Sequence, residues 1–425
     1  MVQVVNIQIL TLVFPPDNVS TAQIMGDLAL DLHSRGHSVT VLTTAPHYNR
    51  DPEAELKQPL RNYWGHILKK SDYHGIPVYH TMMPKKGSNV FFRLLTWVGF
   101  HQLSTFVGVM IIAKPDVIIA PSPPLTIGIS AWIIGLFRGA PYIYNVQEIY
   151  PDIAIRLGAL RNRRIIRFLY CLERFVYKKA AKVTVIAPRM RQRLLEKGVP
   201  KDKVMVIPNF VDIDNFFPLP KDNPFSRAHG VHDKFTVSYA GNLGVPQGLN
   251  TFLEAAYLLR HEPGIRFMMI GDGMQREQLW RRIDELSLEN IDLLPYQPYS
   301  LVTKIYASSD ANLVPQAAET GFDAVPSKVY RIMACARPVI AVTDPSSDLA
   351  RLVIDAGCGV VVPPGSPRLL ADAILSAALD EERWRQCGEK GRCYVEENYA
   401  RDVVTRRYDD VVQSVVAQKK MSSCR

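Results

Sequence analysis

Two short stretches of this chain combine glycine, proline, hydroxyl and lysine in an order suited to holding an anion. The first is Gly241-Asn242-Leu243-Gly244, followed by Pro246-Gln247-Gly248. Glycines let the backbone come close to a ligand, and a helix that starts just afterwards, here from about Leu249, attracts negative charge such as a diphosphate. A plain strand-to-helix turn would use the same glycines. Their order differs from the dinucleotide fingerprint, so a nicotinamide cofactor is set aside. The second stretch is Gly321-Phe322-Asp323-Ala324-Val325-Pro326-Ser327-Lys328. Proline just before a helix, with Ser327 and Lys328 in its first turn, gathers a hydroxyl, amides and an ammonium around one anion. An ordinary helix start with a solvated lysine is the competing reading. Gly271-Asp272-Gly273 is a further strand-ending turn that carries less information.

A second group of residues could meet a hydroxylic substrate. Gln147-Glu148-Ile149-Tyr150-Pro151-Asp152 follows the apolar run Tyr142–Val146, at the strand end where open parallel sheets present functional side chains. Glu148 and Asp152 can both serve an acceptor hydroxyl, or one of them caps the next helix. Near the N-terminus, Phe14-Pro15-Pro16-Asp17 leads into Ser20-Thr21, a loop able to approach acceptor or phosphate, with Ser20 equally suited to capping. Asp212-Ile213-Asp214 has the form of a metal-binding pair but lies in a proline-rich connector, so it reads as a turn. The histidines form no HExxH or paired-ligand spacing, and no metal is expected.

The elements that position these residues alternate regularly. Val4–Leu10, Ser38–Thr43, Asp116–Ala120, Tyr142–Val146, Val183–Ala187 and Val204–Ile207 read as strands. Ile24, Leu28 and Leu32 recur at helical spacing before Gly36 stops the helix, and Pro188 and Gly198 bracket another. From Pro208 to Pro224 four prolines interrupt the pattern. It restarts with Phe235–Ala240, Arg266–Ile270, Ile291–Leu294, Ala311–Val314, Pro338–Val342 and Gly359–Val362. Strand and helix in alternation predict an α/β fold of two doubly wound domains with a ligand cleft between them. The expected division is 1–208, a linker 209–234, and 235–400.

A length of 425 residues exceeds one ordinary core, which agrees with two domains. The six cysteines are scattered, without zinc-ribbon spacing, and fit a reducing compartment. The chain opens directly on a strand-like run without a signal-peptide pattern. Arg93, His101 and Gln102 interrupt Val90–Ala113, and Leu125–Phe137 is short for a span, so both read as buried or surface-lying helices. The net charge of +9 is concentrated: between Arg156 and Lys182 nine basic residues face one acid, Glu173. Ile165, Ile166, Leu169, Leu172 and Phe175 run through the same segment. It reads either as a basic amphipathic helix on anionic lipid or as a core helix with a charged outer face. No nucleic-acid reader motif accompanies the charge, so nucleic acid is not an expected partner.

In order along the whole chain, these motifs resemble family-4 glycosyltransferases of the GT-B fold, in the branch that builds colanic acid, capsule and O-antigen units. The resemblance rests on Phe14-Pro15-Pro16, Ala120-Pro121-Ser122-Pro123-Pro124, Gln147 to Asp152, Ile207-Pro208-Asn209-Phe210-Val211-Asp212, Tyr239 to Gly244, and Pro326-Ser327-Lys328 leading to Met333-Ala334-Cys335-Ala336-Arg337-Pro338. It implies two Rossmann-like domains facing each other across a cleft, with a C-terminal helix, about Asp402 to Val416, packing back on the first. It also implies a retaining transfer from a nucleoside-diphosphate sugar to a lipid-diphosphate-linked saccharide, without cofactor or metal, on the inner face of the plasma membrane. The departing diphosphate would be held by Gly241–Gly244 amides and Lys328, and would itself be a candidate for the acceptor proton.

On the donor side the resemblance gathers Gly241, Asn242, Leu243, Gly244, Gln247, Gly271, Gly273, Pro295, Tyr296, Ser327, Lys328 and Arg331. On the acceptor side it gathers Pro16, Ser20, Thr21, Glu148 and Asp152, with Glu148, Asp323 and Lys328 as the catalytic candidates. The chain also departs from the family. Arg331 stands where a glutamate usually holds the donor ribose, and since arginine accepts no hydrogen bond that task falls to Glu319 or Asp323. Asn242 and Gln247 replace a basic pair, and Gln147 replaces a histidine, leaving Glu148 as the nearest polar candidate. Two rivals follow: a sugar-nucleotide 2-epimerase of the same architecture, and a non-catalytic sugar-nucleotide-binding component of a polysaccharide assembly.

Overall fold

A computed structural model describes residues 3–17, 19–47, 52–65, 67–82, 90–156, 158–318 and 325–423. The chain divides into two compact units, Met1–Asn209 with Val404–Arg425, and Phe210–Val403.

In the first unit, strands run over Asn6–Leu10 (β1), Ser38–Thr44 (β2), Arg61–Trp64 (β3), Leu68–Tyr73 (β4), Ile76–Thr81 (β5), Val117–Pro121 (β6), Tyr142–Val146 (β7), Lys182–Val185 (β8) and Val204–Val206 (β9). Their order in the sheet is β3-β4-β5-β2-β1-β6-β7-β8-β9. Every residue of β6 and β7 is buried, as befits parallel strands covered on both faces. The helix Ser20–Ser34 buries Ile24, Leu28 and Leu32 and ends before Gly36, whose φ of 90° suits glycine. Helices Val90–Met110, Ile127–Arg138 and Arg163–Lys179 follow, each in contact with the next. No helix among the described residues is long and apolar enough to cross a membrane.

The antiparallel pairs β3–β4 and β4–β5 are absent from the expected pattern. Here a strand rich in Lys69, Lys70 and Asp72 turns at His74 and Gly75, both with positive φ, and the Asp72 carboxylate accepts from the Gly75 amide at 2.8 Å. The last helix, Arg401–Ser423, counts with the first unit from Val404 on. His37 Nδ1 accepts from the Val5 amide, so its Nε2 donates to Asp409 at 3.0 Å. Thr405 donates to Asp31, and Asn145 donates to the Tyr408 hydroxyl at 2.8 Å.

The second unit carries Phe235–Ala240 (β10), Ile265–Ile270 (β11), Ile291–Leu294 (β12), Ala311–Pro315 (β13), Val339–Val342 (β14) and Gly359–Val362 (β15). All pairings are parallel, in the order β12-β11-β10-β13-β14-β15. The expected strands of both units are present, with ends shifted by two residues or fewer. The stretch expected as a linker from 209 to 234 is, from Phe210 on, built into this unit instead. Val211 bridges Ala400, Phe225 and Val231 are buried against Met268 and Ile270, and Asn223 caps the short helix Pro224–Ala228. Prolines there shape a packed edge; buried aromatic side chains hold it to the sheet.

Candidate functional site

In the second sheet the chain proceeds from β10 outward to β12, then returns to the other side of β10 with β13. The reversal falls between β10 and β13, where an open parallel sheet offers a crevice beyond its carboxyl ends. The loops after these two strands meet there. Gly241–Gly244 follows β10, and the amide of Ala317, just after β13, donates to the carbonyl of Pro246 at 2.8 Å. Lys328 opens the helix Lys328–Ala334 on the same side. Its Nζ sits 4.0 Å from the centroid of the Tyr239 ring, and a Cβ on Gly241 would stand 2.5 Å from that ammonium. The glycine is therefore what lets the lysine lie against the β10 turn. Lys328 is half-buried, and desolvation, with the nearby Arg331 charge second, lowers its pKa to about 7.

The glycines hold loop against loop. A side chain at Gly271 would overlap the Gly241 carbonyl oxygen, and one at Gly273 would come within 2.5 Å of the Leu243 carbonyl oxygen. That close approach commits the amides expected for a diphosphate. Gly241 N donates to Ile270 O at 2.9 Å, Leu243 N to Asp272 O at 2.8 Å, and Gly244 N to Gln247 Oε1 at 3.2 Å. Three of the four loop amides expected to cradle phosphate are thus engaged within the protein, with the Lys328 ammonium beside them. Asn242 turns its carbonyl to the Tyr239 hydroxyl at 2.6 Å, which also fixes the ring under Lys328. Tyr239, and Arg276 joining Gly271 O to Leu294 O, are supports that the motif reading passed over; Tyr239 stood inside a quoted motif as an apparent strand residue.

The remaining donor-side candidates are spread around this point. Ser327 precedes the helix without capping it through its side chain. Arg331 sets its guanidinium 5.2 Å from the Phe216 ring and 5.5 Å from Tyr299. Pro295 and Tyr296 are exposed at the end of β12, with β11 between them and β10. Asp323 and Glu319 lie outside the described residues. Asp212 accepts from the amides of Asp214 and Asn215 and faces Arg401 at 3.3 Å, as a turn residue does.

In the first unit the ends of β6 and β7 hold a buried amide network. Gln147 Nε2 donates to Asn145 at 2.7 Å, its Oε1 accepts from Asn209 at 2.9 Å, and its backbone amide donates to the Ser122 hydroxyl. Asn145 passes the chain on to Thr184 at 3.0 Å. All five residues are buried. Gln147 is thereby a structural amide, and Glu148 beside it is a carboxyl whose pKa burial raises. Asp152 does not stand open for a hydroxyl as expected. Its carboxylate pairs with Lys197 at 2.9 Å, and that lysine also binds the buried Glu173 at 2.7 Å, so the two acids share one cation. Pro16 is buried and Thr21 half-buried, while Ser20 is exposed; Val19 takes the N-cap position, so the capping role weighed for Ser20 is not used. Among the described residues no group of three or more histidine, cysteine or acidic side chains is placed to hold a metal.

Residues 21–209 match the family model of the glycosyl transferase 4-like domain, and residues 222–393 match that of glycosyl transferases group 1. The chain is 25% identical over 379 residues to WcaI of Escherichia coli K12, named for colanic acid biosynthesis, covering 86% of this chain and 90% of that protein. It is 24% identical over 310 residues to the glycosyltransferase WbjE of Pseudomonas aeruginosa, covering 72% and 77%. Among solved structures, Anabaena HepE in complex with UDP superposes with a TM-score of 0.71 at 16% identity, over 96% of this chain and 100% of that one. Sucrose-phosphate synthase of Thermosynechococcus elongatus does so at 0.74 and 17%, over 97% and 100%. With both family models matched in order and the doubly wound sheets in place, the chain belongs to the family-4-like glycosyltransferases of the GT-B fold.

Proposed function

We propose that this glycosyltransferase moves a sugar, with retention of configuration, from a nucleoside diphosphate to a lipid-diphosphate-linked saccharide in the assembly of a bacterial surface polysaccharide. Support for the pathway comes from the relative named for colanic acid biosynthesis, and support for the donor from the UDP complex of a protein with the same fold. The observation that carries the donor reading is Lys328, a desolvated ammonium against the β10 turn at the reversal point of the sheet.

The chemistry follows from that position. Breaking the bond from sugar to phosphate leaves an oxocarbenium-like sugar and adds charge to the diphosphate. A cation held in a partly desolvated site stabilises that charge more than it would in water. The free protein keeps Lys328 near its titration point, about 7, so an arriving diphosphate raises its pKa and draws in a proton. The scheme uses no resident metal, because the lysine supplies the positive charge, and the leaving phosphate takes the acceptor proton. Glu148 serves the acceptor side as a desolvated carboxyl, and ribose recognition belongs to Glu319 or Asp323. Membrane association falls to the helix Arg163–Lys179, where Ile165 and Phe168 are exposed beside Arg163, Arg164 and Arg167.

The test is incubation of purified protein with labelled nucleotide sugars, with and without membrane lipid extract. Label in the lipid phase is the expected result. Interconversion of the sugar nucleotide without lipid would indicate the epimerase, and binding without turnover a non-catalytic component.

A further inference from the structure

The first unit has a feature that sugar transfer leaves unexplained. Helices Val90–Met110 and Ile127–Arg138 leave between them an open groove of about 660 Å³, lined mainly by hydrocarbon from Phe106, Val109, Met110, Ile129, Ile133 and Phe137. Phe137 is 70% exposed and Met110 67%. Contiguous apolar surface of this kind marks a binding site more often than it marks plain exterior. Besides Gln102 and Thr105, the polar side chains lining the groove are His101, Thr126 and Ser130, which are engaged with one another. His101 Nδ1 lies 3.0 Å from the Ser130 hydroxyl and Nε2 2.6 Å from that of Thr126, and burial lowers the ring's pKa to about 4, so it is neutral near pH 7.

The opposite flank of Ile127–Arg138 supports the basic helix. Trp132 meets Phe175 edge-on at 4.9 Å, Lys179 lies over the same indole, and Gly128 lets Val176 approach. That helix buries Glu173, Val176 and Tyr177, leaving a stripe of Ile165, Phe168, Leu169 and Leu172 at helical spacing among its arginines. Apolar groove and cationic amphipathic helix thus flank one element.

We infer that the groove binds one hydrocarbon chain of an anionic membrane lipid whose head group is drawn by the neighbouring cations; the inference rests on the membrane reading above. Length fits: Val98 to Met110 spans roughly 18 Å of helix, close to one leaflet's share of a hydrocarbon core of about 30 Å. Chemistry fits, since the lining offers little to a peptide backbone that needs hydrogen-bond partners. A second copy is disfavoured, because each copy would bring its own cluster of like charge to the contact.

Co-sedimentation with phosphatidylglycerol–phosphatidylcholine vesicles tests the assignment. At low salt both groove and arginines contribute. In about 1 M salt, where the screening length is roughly 3 Å, the groove carries the remainder. The double variant Phe106→Ser with Phe137→Ser should lower the salt-resistant pellet fraction by about tenfold, a change well within the burial of two phenylalanines. It should retain low-salt binding. Spin-labelled phosphatidylglycerol should show an immobilised chain with the unsubstituted protein and none with the variant. Met110→Ser, a single change at an exposed position, should act in the same direction and serves if the double variant is unstable. Equal salt-resistant binding, an immobilised chain that persists in the variants, or a dimer that the variants dissociate would each overturn the inference. Donor affinity by calorimetry keeps the two readings apart: a protein that fails to bind or transfer sugar but still immobilises lipid sinks only the proposed function.

Discussion

The carboxyl edges of the two sheets are built on one plan and filled in opposite ways. In the second unit, glycines at 241, 271 and 273 draw loops together until backbone meets backbone, and the space they leave admits a lysine whose charge lacks full solvation. In the first, Gln147 just beyond β7 is tied on both sides, to Asn145 and to Asn209, and all three are buried. The contrast shows that the fold supplies a crevice, while side-chain size and polarity decide whether it stays available for an anion. Gln147 illustrates this well: the family resemblance implies that it replaces a histidine, and both ends of its amide are tied inward.

The largest expected effect breaks the second edge outright. Gly271→Ala should destabilise that unit by about 3 kcal/mol or more in denaturant titration, because the added methyl meets a backbone carbonyl that cannot step aside. Lys328→Ala should weaken donor binding by about 1.5–3 kcal/mol, the range for losing a charge-assisted hydrogen bond, as read by calorimetry. Unchanged affinity would remove the lysine from the site. Its counterpart, Gln147→Ala, should cost about 1–3 kcal/mol of stability by stranding buried Asn145 and Asn209, with donor affinity intact. A fall in donor affinity there would undo the contrast.

The remaining effects are in pH. His80 is buried between the Thr44 carbonyl and Ser71, and its pKa is lowered to about 4 from 6.5. Between those values the unfolded chain binds the extra proton, so stability should decline as pH falls from 6.5 toward 4, less so in His80→Gln. For Lys328, lowered from 10.5 to about 7, the unfolded chain is the more protonated one above 7. Stability should therefore rise with pH across that window, and Lys328→Met should flatten the rise. Thermal unfolding across the pH range checks both slopes.

The parallel strands were legible because β-branched runs alternate with helical spacing, and Phe235–Ala240 keeps even its ends. The meander at β3 to β5 was not, because exposed edge strands such as Arg61–Trp64 lack the apolar alternation of a half-buried strand. Its clue was local: Asp72 and Gly75 bracketing a tight turn. Lys328 and the β10 turn could be named from motif order, but not the engagement of the turn's amides, since spacing along a chain does not disclose which carbonyl from β11 or the Asp272 loop will be opposite. Asp152 likewise looked available until Lys197, 45 positions later, arrived beside it.

The helix Arg401–Ser423 gives the first unit its last partners: Thr405 for Asp31, Tyr408 for Asn145, Asp409 for His37. These partners lie 374, 263 and 372 positions from the residues they serve, so the first unit is not a continuous stretch of chain. Without that helix, polar side chains would occupy buried positions lacking the partners that make their burial tolerable.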